Sequence, residues 1–183
     1  NIKKKKALNQ RFSFVLTGGS SPKKLYRRLS KIKINWNNVD LFLVDERYVK
    51  KNSKNLNYNL IRKNFINNIK IDKKNIYPID MSKKSAYFSA LDYEKKIKNY
   101  FKKRKKEFDL ILLGMGEDGH VASIFPNNIN LNNKKLTSVV EREDFDRITL
   151  NLNIINKAKK IFLWLNDKNK SNIYKHLKKK GNI

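Results

Sequence analysis

The greatest concentration of chemically active side chains lies in residues 108–126, which read FDLILLGMGEDGHVASIFP. The segment begins with a run of apolar residues, as a buried strand does, and then opens into glycines, two acids and an imidazole. In open α/β sheets, chemistry is carried by loops at the carboxyl ends of the strands. His120 is one of two histidines in the chain, and an imidazole exchanges protons near neutral pH. This loop is the first candidate for an acid–base site.

Asp118 lies two residues before His120, where its carboxylate could orient or polarise the imidazole, or could hold the backbone of the loop. A lone histidine is more often structural than catalytic, but packing alone does not require one beside three glycines and two acids. A metal site is the weaker interpretation, because the chain has no cysteine and neither HxH nor HExxH spacing. The other histidine, His176, is assigned no role.

A second loop, TGGSSP at residues 17–22, follows a predicted strand and precedes a predicted helix. Backbone N–H groups at Gly18, Gly19 and Ser20 could approach an anion closely there. Many strand–helix turns share this composition, so the motif alone leaves a structural role and a phosphate-binding role equally open. It is neither GxGxxG nor GxxxxGK[ST], and therefore favours neither a dinucleotide site nor a P-loop.

A third cluster, Asp45-Glu46-Arg47, ends the apolar run DLFLV at residues 40–44. Such a cluster is usually a set of surface ion pairs. Its strand is expected to lie near the strand that precedes TGGSSP, however, and Arg47 would then reach the same anion with a bidentate guanidinium.

The composition indicates one folded domain, residues 1–183, with a formal net charge of +27. Two interpretations of the charge remain open. Clustered lysines can bind a polyanion, whereas a general bias towards Lys and Asn enlarges exposed faces without making a site. The lysines are spread along the whole chain rather than gathered in one stripe. We therefore do not expect nucleic acid as a partner.

The sequence contains no apolar run long enough to span a membrane and no apolar signal segment at its start. We expect a cytoplasmic protein without a membrane partner. The chain begins at Asn1 rather than at a methionine, which predicts a segment of a longer or fused polypeptide.

Hydrophobic periodicity predicts strands that alternate with helices, which is typical of an α/β fold with a mostly parallel sheet covered on both faces. The predicted strands are 11–16, 40–44, 76–79, 108–113, 147–152 and 160–165, and the predicted helices are 22–30, 60–69, 85–103, 154–159 and 170–179. Residues 1–10 are expected to form a polar helix remnant or a frayed end, and residues 127–135 a loop.

The motifs LTGGSSPKKLY, FLVDERYV and FDLILLGMGEDGHVASIFP, in this order and spacing, resemble the 6-phosphogluconolactonase family. The related glucosamine-6-phosphate deaminases share the Asp-Gly-His motif but continue differently, whereas this chain has ASIFP, as lactonases do. The resemblance implies a three-layer α/β/α, doubly wound, Rossmann-like fold that here lacks the family's first strand.

The resemblance also implies an activity, the hydrolysis of 6-phosphoglucono-δ-lactone to 6-phosphogluconate in the pentose phosphate pathway, without a metal or organic cofactor. His120 resembles the general base, and Asp118 and Asp45 resemble its supporting carboxylates. The family's substrate-binding and phosphate-binding positions fall on Gly18, Gly19, Ser20, Arg47, Gly116, Arg147 and Lys170. The alternatives are a glucosamine-6-phosphate deaminase or isomerase on the same fold, and a non-catalytic polyanion-binding module.

Three departures from the family pattern affect these expectations. EREDFD replaces a proline-rich approach to Arg147, and Asp167 replaces a glycine three residues before Lys170. The chain is also shorter than a typical member. Because lactonases of this family occur joined to the preceding enzyme, a fused or associated glucose-6-phosphate dehydrogenase is an expected partner.

Overall fold

The computed structural model describes residue 2 and residues 10–102, 104–126, 134–165 and 173–175. The central part of the chain, with all three motifs, falls within these ranges.

Four predictions lie wholly or mostly outside the described residues. They are the polar start at 1–10, the loop at 127–135, the role of Lys170 and the helix at 170–179. Within that helix, only residues 173–175 are described, and they are helical.

The described residues form eight strands and four α-helices, joined by loops and short 3₁₀ turns. The strands are β1 (Phe12–Leu16), β2 (Val39–Leu43), β3 (Asp45–Arg47), β4 (Ile76–Tyr77), β5 (Leu110–Gly114), β6 (Thr137–Val140), β7 (Arg147–Leu150) and β8 (Ile161–Trp164). The helices are α1 (Lys23–Leu29), α2 (Asn57–Asn64), α3 (Ala86–Tyr100) and α4 (Leu152–Ile155), and the 3₁₀ turns are Trp36–Asn38, Ile66–Asn68 and Lys73–Asn75.

The larger sheet has the order β4-β2-β1-β5-β8, and every neighbouring pair in it is parallel. Its two central strands, β1 and β2, are buried along their whole lengths. This agrees with their continuous apolar runs, because a parallel sheet covered on both faces has no solvent side. The predicted mostly parallel α/β sheet is confirmed, and it brings the ends of β1, β2 and β5 to one edge.

A smaller antiparallel sheet, β3-β7-β6, adjoins that edge. The DER residues were expected to end the second strand, but they form β3 in this second sheet. The chain changes sheets at Val44, whose N–H donates to the Leu16 carbonyl of β1 (2.9 Å) and whose carbonyl accepts from Leu150 of β7 (2.8 Å). The sequence analysis missed β6, because its four residues follow a Lys- and Asn-rich stretch that hides the pattern.

Two buried tyrosines fasten the carboxyl ends of the central strands. The hydroxyl of Tyr26, on α1, donates to the carbonyl of Thr17, the residue after β1. The hydroxyl of Tyr93, on α3, donates to the Leu43 carbonyl of β2 (2.7 Å) and accepts from the N–H of the same residue (2.9 Å). Burial raises the pKa of both phenols, so both remain neutral donors. The strand ends from which TGGSSP and DER emerge are thereby fixed to helices.

The opposite edge of the larger sheet is held by polar contacts at the starts of its strands. Asp109 accepts from the N–H (2.9 Å) and the hydroxyl (3.1 Å) of Ser13, and Arg11 forms an ion pair with Asp40 at 2.8 Å. Apolar residues of both sheets belong to one buried cluster. In the part of the chain that the structure describes, no helix has the length and apolar character needed to cross a membrane.

Candidate functional site

The histidine loop, residues 115–121, is a closed turn at the end of β5. Met115 and Val121 form an antiparallel bridge at its base. Inside it, the Gly116 N–H donates to the His120 carbonyl (2.8 Å) and the Gly119 N–H donates to the Gly116 carbonyl (3.2 Å). Gly119 has a φ of +86°, which a residue with a side chain rarely adopts. The glycines therefore shape a turn that presents the imidazole at the strand end.

Asp118 determines which nitrogen of His120 carries the proton. Its Oδ1 lies 2.5 Å from the imidazole Nδ1 and also accepts from the His120 backbone N–H at 3.2 Å. Partial burial opposes ionisation of Asp118, but these contacts with His120 outweigh it and lower the pKa of the carboxyl group. An ionised carboxylate only accepts hydrogen bonds. Nδ1 therefore donates, and in the neutral ring Nε2 is the basic nitrogen.

Gly116 lies directly under the imidazole. A Cβ atom at this position would lie 2.2 Å from both Cε1 and Nδ1 of His120 and 2.7 Å from Oδ1 of Asp118. The role of Gly116 in binding substrate stays a prediction. The geometry gives it another function, which is to leave room for the His120–Asp118 pair.

The residues after the histidine attach its loop to the second sheet. Ala122 has a φ of +54°, an uncommon conformation for a residue with a Cβ atom. The next residue, Ser123, is fully buried, and its hydroxyl donates to Oδ2 of Asp45 at 2.8 Å. Its backbone N–H donates to the Thr149 hydroxyl of β7 at 3.3 Å. The sequence analysis assigned no role to Ser123.

Asp45 is buried among charged neighbours. Burial raises the pKa of its carboxyl group, while the hydrogen bond from Ser123 and the charges of Arg47, Arg147 and His120 act in the opposite direction. The effect of burial is the larger. Three predicted site residues from different segments are therefore close enough to Asp45 to influence its ionisation.

Arg47 and Arg147 are directly opposite one another in the antiparallel β3–β7 pair. Nη1 of Arg47 donates to the carbonyl of Asn55 (3.0 Å) and to Oδ1 of Asn57 (3.1 Å). Nη2 of Arg147 forms an ion pair with Asp144 at 2.6 Å, while its Nε is buried and has no hydrogen-bond partner among the described residues. Asp144 belongs to the EREDFD segment, which therefore orients Arg147 despite its departure from the family pattern.

The loop at residues 17–22 lies next to strand β3, and its close contact there is made at a single glycine, Gly18. A Cβ atom at Gly18 would lie 2.0 Å from Cγ and from Oδ1 of Asn57, so the loop and that side chain pack without space between them. Gly19 has a φ of +81° and open space where a side chain would be, and Ser20 is exposed. An anion could reach the N–H groups here, and the phosphate-binding role of this loop stays a prediction.

Two contributors to the site were missed by the sequence analysis. Glu46 is buried, and its carboxylate accepts hydrogen bonds from the backbone N–H groups of Arg47, Asn57 and Tyr58 at 2.7–2.8 Å. Asn57 lies between Gly18 and the DER strand. The signal for Glu46 was visible, since an acid between two site residues of a strand must face the other way. No local signal marked Asn57.

The aromatic ring of Phe125 was also overlooked. Its centroid lies 4.5 Å from the centroid of the His120 ring. The guanidinium of Arg142, which belongs to the EREDFD segment, lies 4.4 Å from the Phe125 centroid. The Phe125 and His120 rings are tilted by 40° relative to one another, and Phe125 packs against one side of the imidazole.

Residues 1–182 match the model of the family described as Glucosamine-6-phosphate isomerases/6-phosphogluconolactonase. The chain belongs to this family. The membership predicted from the three motifs is confirmed.

Individual relatives support the same assignment. A 6-phosphogluconolactonase of Nostoc sp. is 32% identical over 164 residues, which cover 87% of this chain and 68% of the relative. A bifunctional glucose-6-phosphate 1-dehydrogenase/6-phosphogluconolactonase of Plasmodium falciparum is 35% identical over 199 residues, covering 88% of this chain and 22% of the relative. The crystal structure of a 6-phosphogluconolactonase from Thermotoga maritima superposes with a TM-score of 0.86 at 31% identity, covering 97% of this chain and 81% of that one.

Of the predicted site residues, the structure brings Asp45, Arg47, Arg147 and His120 together, with Asp118 held on His120. Gly18 joins them through Asn57. Lys170 lies outside the described residues, so its role stays a prediction. Within the described ranges, no group of three or more His, Cys, Asp or Glu residues is arranged to hold a metal ion.

The first test concerns Gly116. In Gly116→Ala, the new methyl group would displace the imidazole, and a misplacement of this kind lowers kcat on the order of 10²-fold. The ring can swing away, so we expect the melting temperature to change little. Gly114→Ala is the matched control, because its Cβ would meet only Thr17 Oγ1 at an ordinary 3.7 Å. Equal kcat values for the two variants in a lactonase assay would contradict this account of Gly116.

The second test concerns Glu46. Burial raises the pKa of its carboxyl group to about 8, although the hydrogen bonds from three backbone N–H groups act to lower it. A group with a raised pKa binds its proton more tightly in the folded chain. Its stabilising contribution is complete below its ordinary pKa of 4.5 and is lost as the pH rises to about 8. The free energy of unfolding should therefore fall over this range, by at most about 1.4 kcal/mol per pH unit.

Urea unfolding at several pH values measures this slope. It should be shallower in Glu46→Gln than in the native protein and in the control Glu143→Gln, which changes an exposed acid. Parallel pH profiles for all three proteins would show that Glu46 does not titrate in this range.

Proposed function

We propose that this chain is a 6-phosphogluconolactonase that hydrolyses 6-phosphoglucono-δ-lactone to 6-phosphogluconate. The observation that carries the proposal is a histidine with Nδ1 held by a carboxylate, on a loop attached to a strand with two opposed arginines. The histidine held by a carboxylate suits proton transfer, and the two arginines suit phosphate binding. The chain spans about two thirds of the length of the Nostoc relative, 68%, so the activity of the whole protein is part of the proposal.

The arginine pair supports a phosphate-binding role. Like charges directly opposite each other in an antiparallel pair destabilise it, unless an anion lies between them. The buried Nε of Arg147, which lacks a partner among the described residues, is a donor that a phosphate oxygen would satisfy. Gly18, Gly19 and Ser20 would add backbone donors. Lys170 completes the proposed set on the strength of its motif position.

His120 is the proposed general base. Nε2 removes a proton from a water molecule as its oxygen attacks the lactone carbonyl carbon, which gives a tetrahedral oxyanion. The ring C–O bond then breaks, and the imidazolium returns the proton to the leaving ring oxygen. Asp118 holds Nδ1 of the ring, and Asp45 holds the loop through Ser123. Backbone N–H groups of the glycine-rich loop are the proposed oxyanion donors.

The proposal places the reaction in the pentose phosphate pathway and in the cytoplasm. The relative from Plasmodium falciparum is named as a bifunctional dehydrogenase and lactonase. We therefore propose a fused or associated glucose-6-phosphate dehydrogenase as a partner of this chain. Co-purification of dehydrogenase activity with the natural protein would test the association.

Replacing His120 tests the base. We expect His120→Ala to lower kcat on the order of 10²–10⁴-fold, since it removes general-base catalysis. The rate is followed as acid release from freshly prepared lactone, with spontaneous hydrolysis subtracted. His176→Ala is the control. A full rate in folded His120→Ala would remove His120 from the mechanism, and ammonia release from glucosamine 6-phosphate would favour the deaminase alternative.

Replacing Arg47 tests the phosphate site. Arg47→Ala should raise KM roughly ten- to hundredfold, because it removes a charge-assisted hydrogen bond to the phosphate. The exposed Arg62 of α2 provides the control variant Arg62→Ala. If both variants have the native KM, Arg47 does not bind the phosphate. RNA binding that persists at physiological salt would instead support the polyanion-binding alternative.

A further inference from the structure

The side chain of Asn57, at the start of α2, contacts three parts of the site at once. It is only 3% exposed. Its Oδ1 accepts from Nη1 of Arg47 at 3.1 Å, and its Nδ2 donates to the backbone carbonyl of Asp45 (3.3 Å) and, weakly, to Oδ1 of Asp45 (3.4 Å). The third contact is with Gly18, where a Cβ atom would overlap the amide.

The backbone of Asn57 is fixed independently of its side chain. One oxygen of Glu46, Oε1, accepts from the N–H groups of both Arg47 (2.8 Å) and Asn57 (2.7 Å), and Oε2 accepts from that of Tyr58 (2.8 Å). Glu46 thus caps α2 from a neighbouring strand and sets the two backbones side by side. A substitution at Asn57 therefore removes the amide contacts while these backbone contacts remain.

The amide anchors one corner of the Arg47 guanidinium and leaves the rest available. Nη1 is occupied by Asn57 and by the carbonyl of Asn55, whereas Nε and Nη2 have no hydrogen bond to any described residue. A guanidinium that is already oriented loses less conformational freedom when it binds an anion, and this raises affinity.

We propose that Asn57 is a positioning residue that holds Arg47 in the orientation that receives the substrate phosphate. Gly18 then lacks a side chain because the Asn57 amide fills the space beside it. The inference rests on the proposed function, since it requires the phosphate to bind at Arg47. The competing explanation is structural, namely that Asn57 only satisfies the buried polar groups of Asp45. In that case, loss of the Asn57 amide would lower the stability of the protein without weakening phosphate binding through Arg47.

A double-mutant cycle on the full chain separates the two explanations. The probe is 6-phosphogluconate, the stable product, titrated calorimetrically into native protein, Asn57→Ala, Arg47→Ala and the double variant. We expect Asn57→Ala to weaken binding about tenfold, as loss of a hydrogen bond to a charged group does, and to raise KM by a larger factor than it lowers kcat. In the Arg47→Ala background it should have no further effect on binding.

Gly18→Ala provides a second route that keeps the amide. Its methyl group should push Asn57 away from Arg47 and weaken product binding more in the native background than in the Arg47→Ala background. This variant decides the question if Asn57→Ala does not fold. An equal loss in the two backgrounds would mean that Gly18 acts on the phosphate independently of Arg47, and would overturn the role given to Asn57.

The remaining outcomes distinguish the two proposals. If Arg47→Ala weakens product binding but Asn57→Ala does not, or if their effects multiply, the positioning role is wrong and the phosphate site stands. If Arg47→Ala leaves binding unchanged, the phosphate site at Arg47 fails, and the role of Asn57 fails with it.

Discussion

Val44 belongs to neither sheet and is hydrogen-bonded to both. Its N–H continues the ladder of β1, and its carbonyl begins the ladder of β7. A parallel sheet normally releases its chain into a loop at the carboxyl end of a strand. Here the chain passes directly into a second sheet, so Asp45 and Arg47 are held by a strand rather than by a loop. Tyr93 fixes Leu43, the residue before the crossing, to α3, which makes the crossing rigid.

The histidine loop depends on this crossing through Ser123, which makes two buried hydrogen bonds to the second sheet. Its hydroxyl donates to Asp45 of β3, and its backbone N–H donates to the Thr149 hydroxyl of β7. The loop itself contains flexible glycines, so its rigidity comes from its own closing bonds and from this attachment. Asp45 is consequently both an electrostatic element of the site and the point at which the acid–base loop and the arginine strand are joined. The hydrogen bond from Ser123 and the charges of Arg47 and Arg147 offset part of the cost of burying the Asp45 carboxylate.

The sequence predicted the parallel sheet well, because continuous apolar runs such as residues 12–16 leave few alternatives to buried strands. The residues of three separate motifs also predicted the family. The sequence could not predict β6 or the second sheet, since antiparallel pairing of short strands depends on distant partners rather than on local periodicity. Asn57 escaped notice for the same reason. It lies in an Asn-rich stretch, and only the fold distinguishes it from its neighbours.

Strand β3 has three residues, and successive side chains of a strand point to opposite faces. Asp45 and Arg47 therefore face the site, while Glu46 faces away from it and caps α2. One face of β3 therefore contributes side chains to the site, and the other face holds the start of α2. A shift of one residue between β3 and β7 would exchange the two, bringing Glu46 among the arginines and turning Arg47 away. The spacing from Leu43 to Asp45 is thus as strictly constrained as the residues themselves, and a one-residue insertion there would abolish the site while leaving every site residue in the sequence.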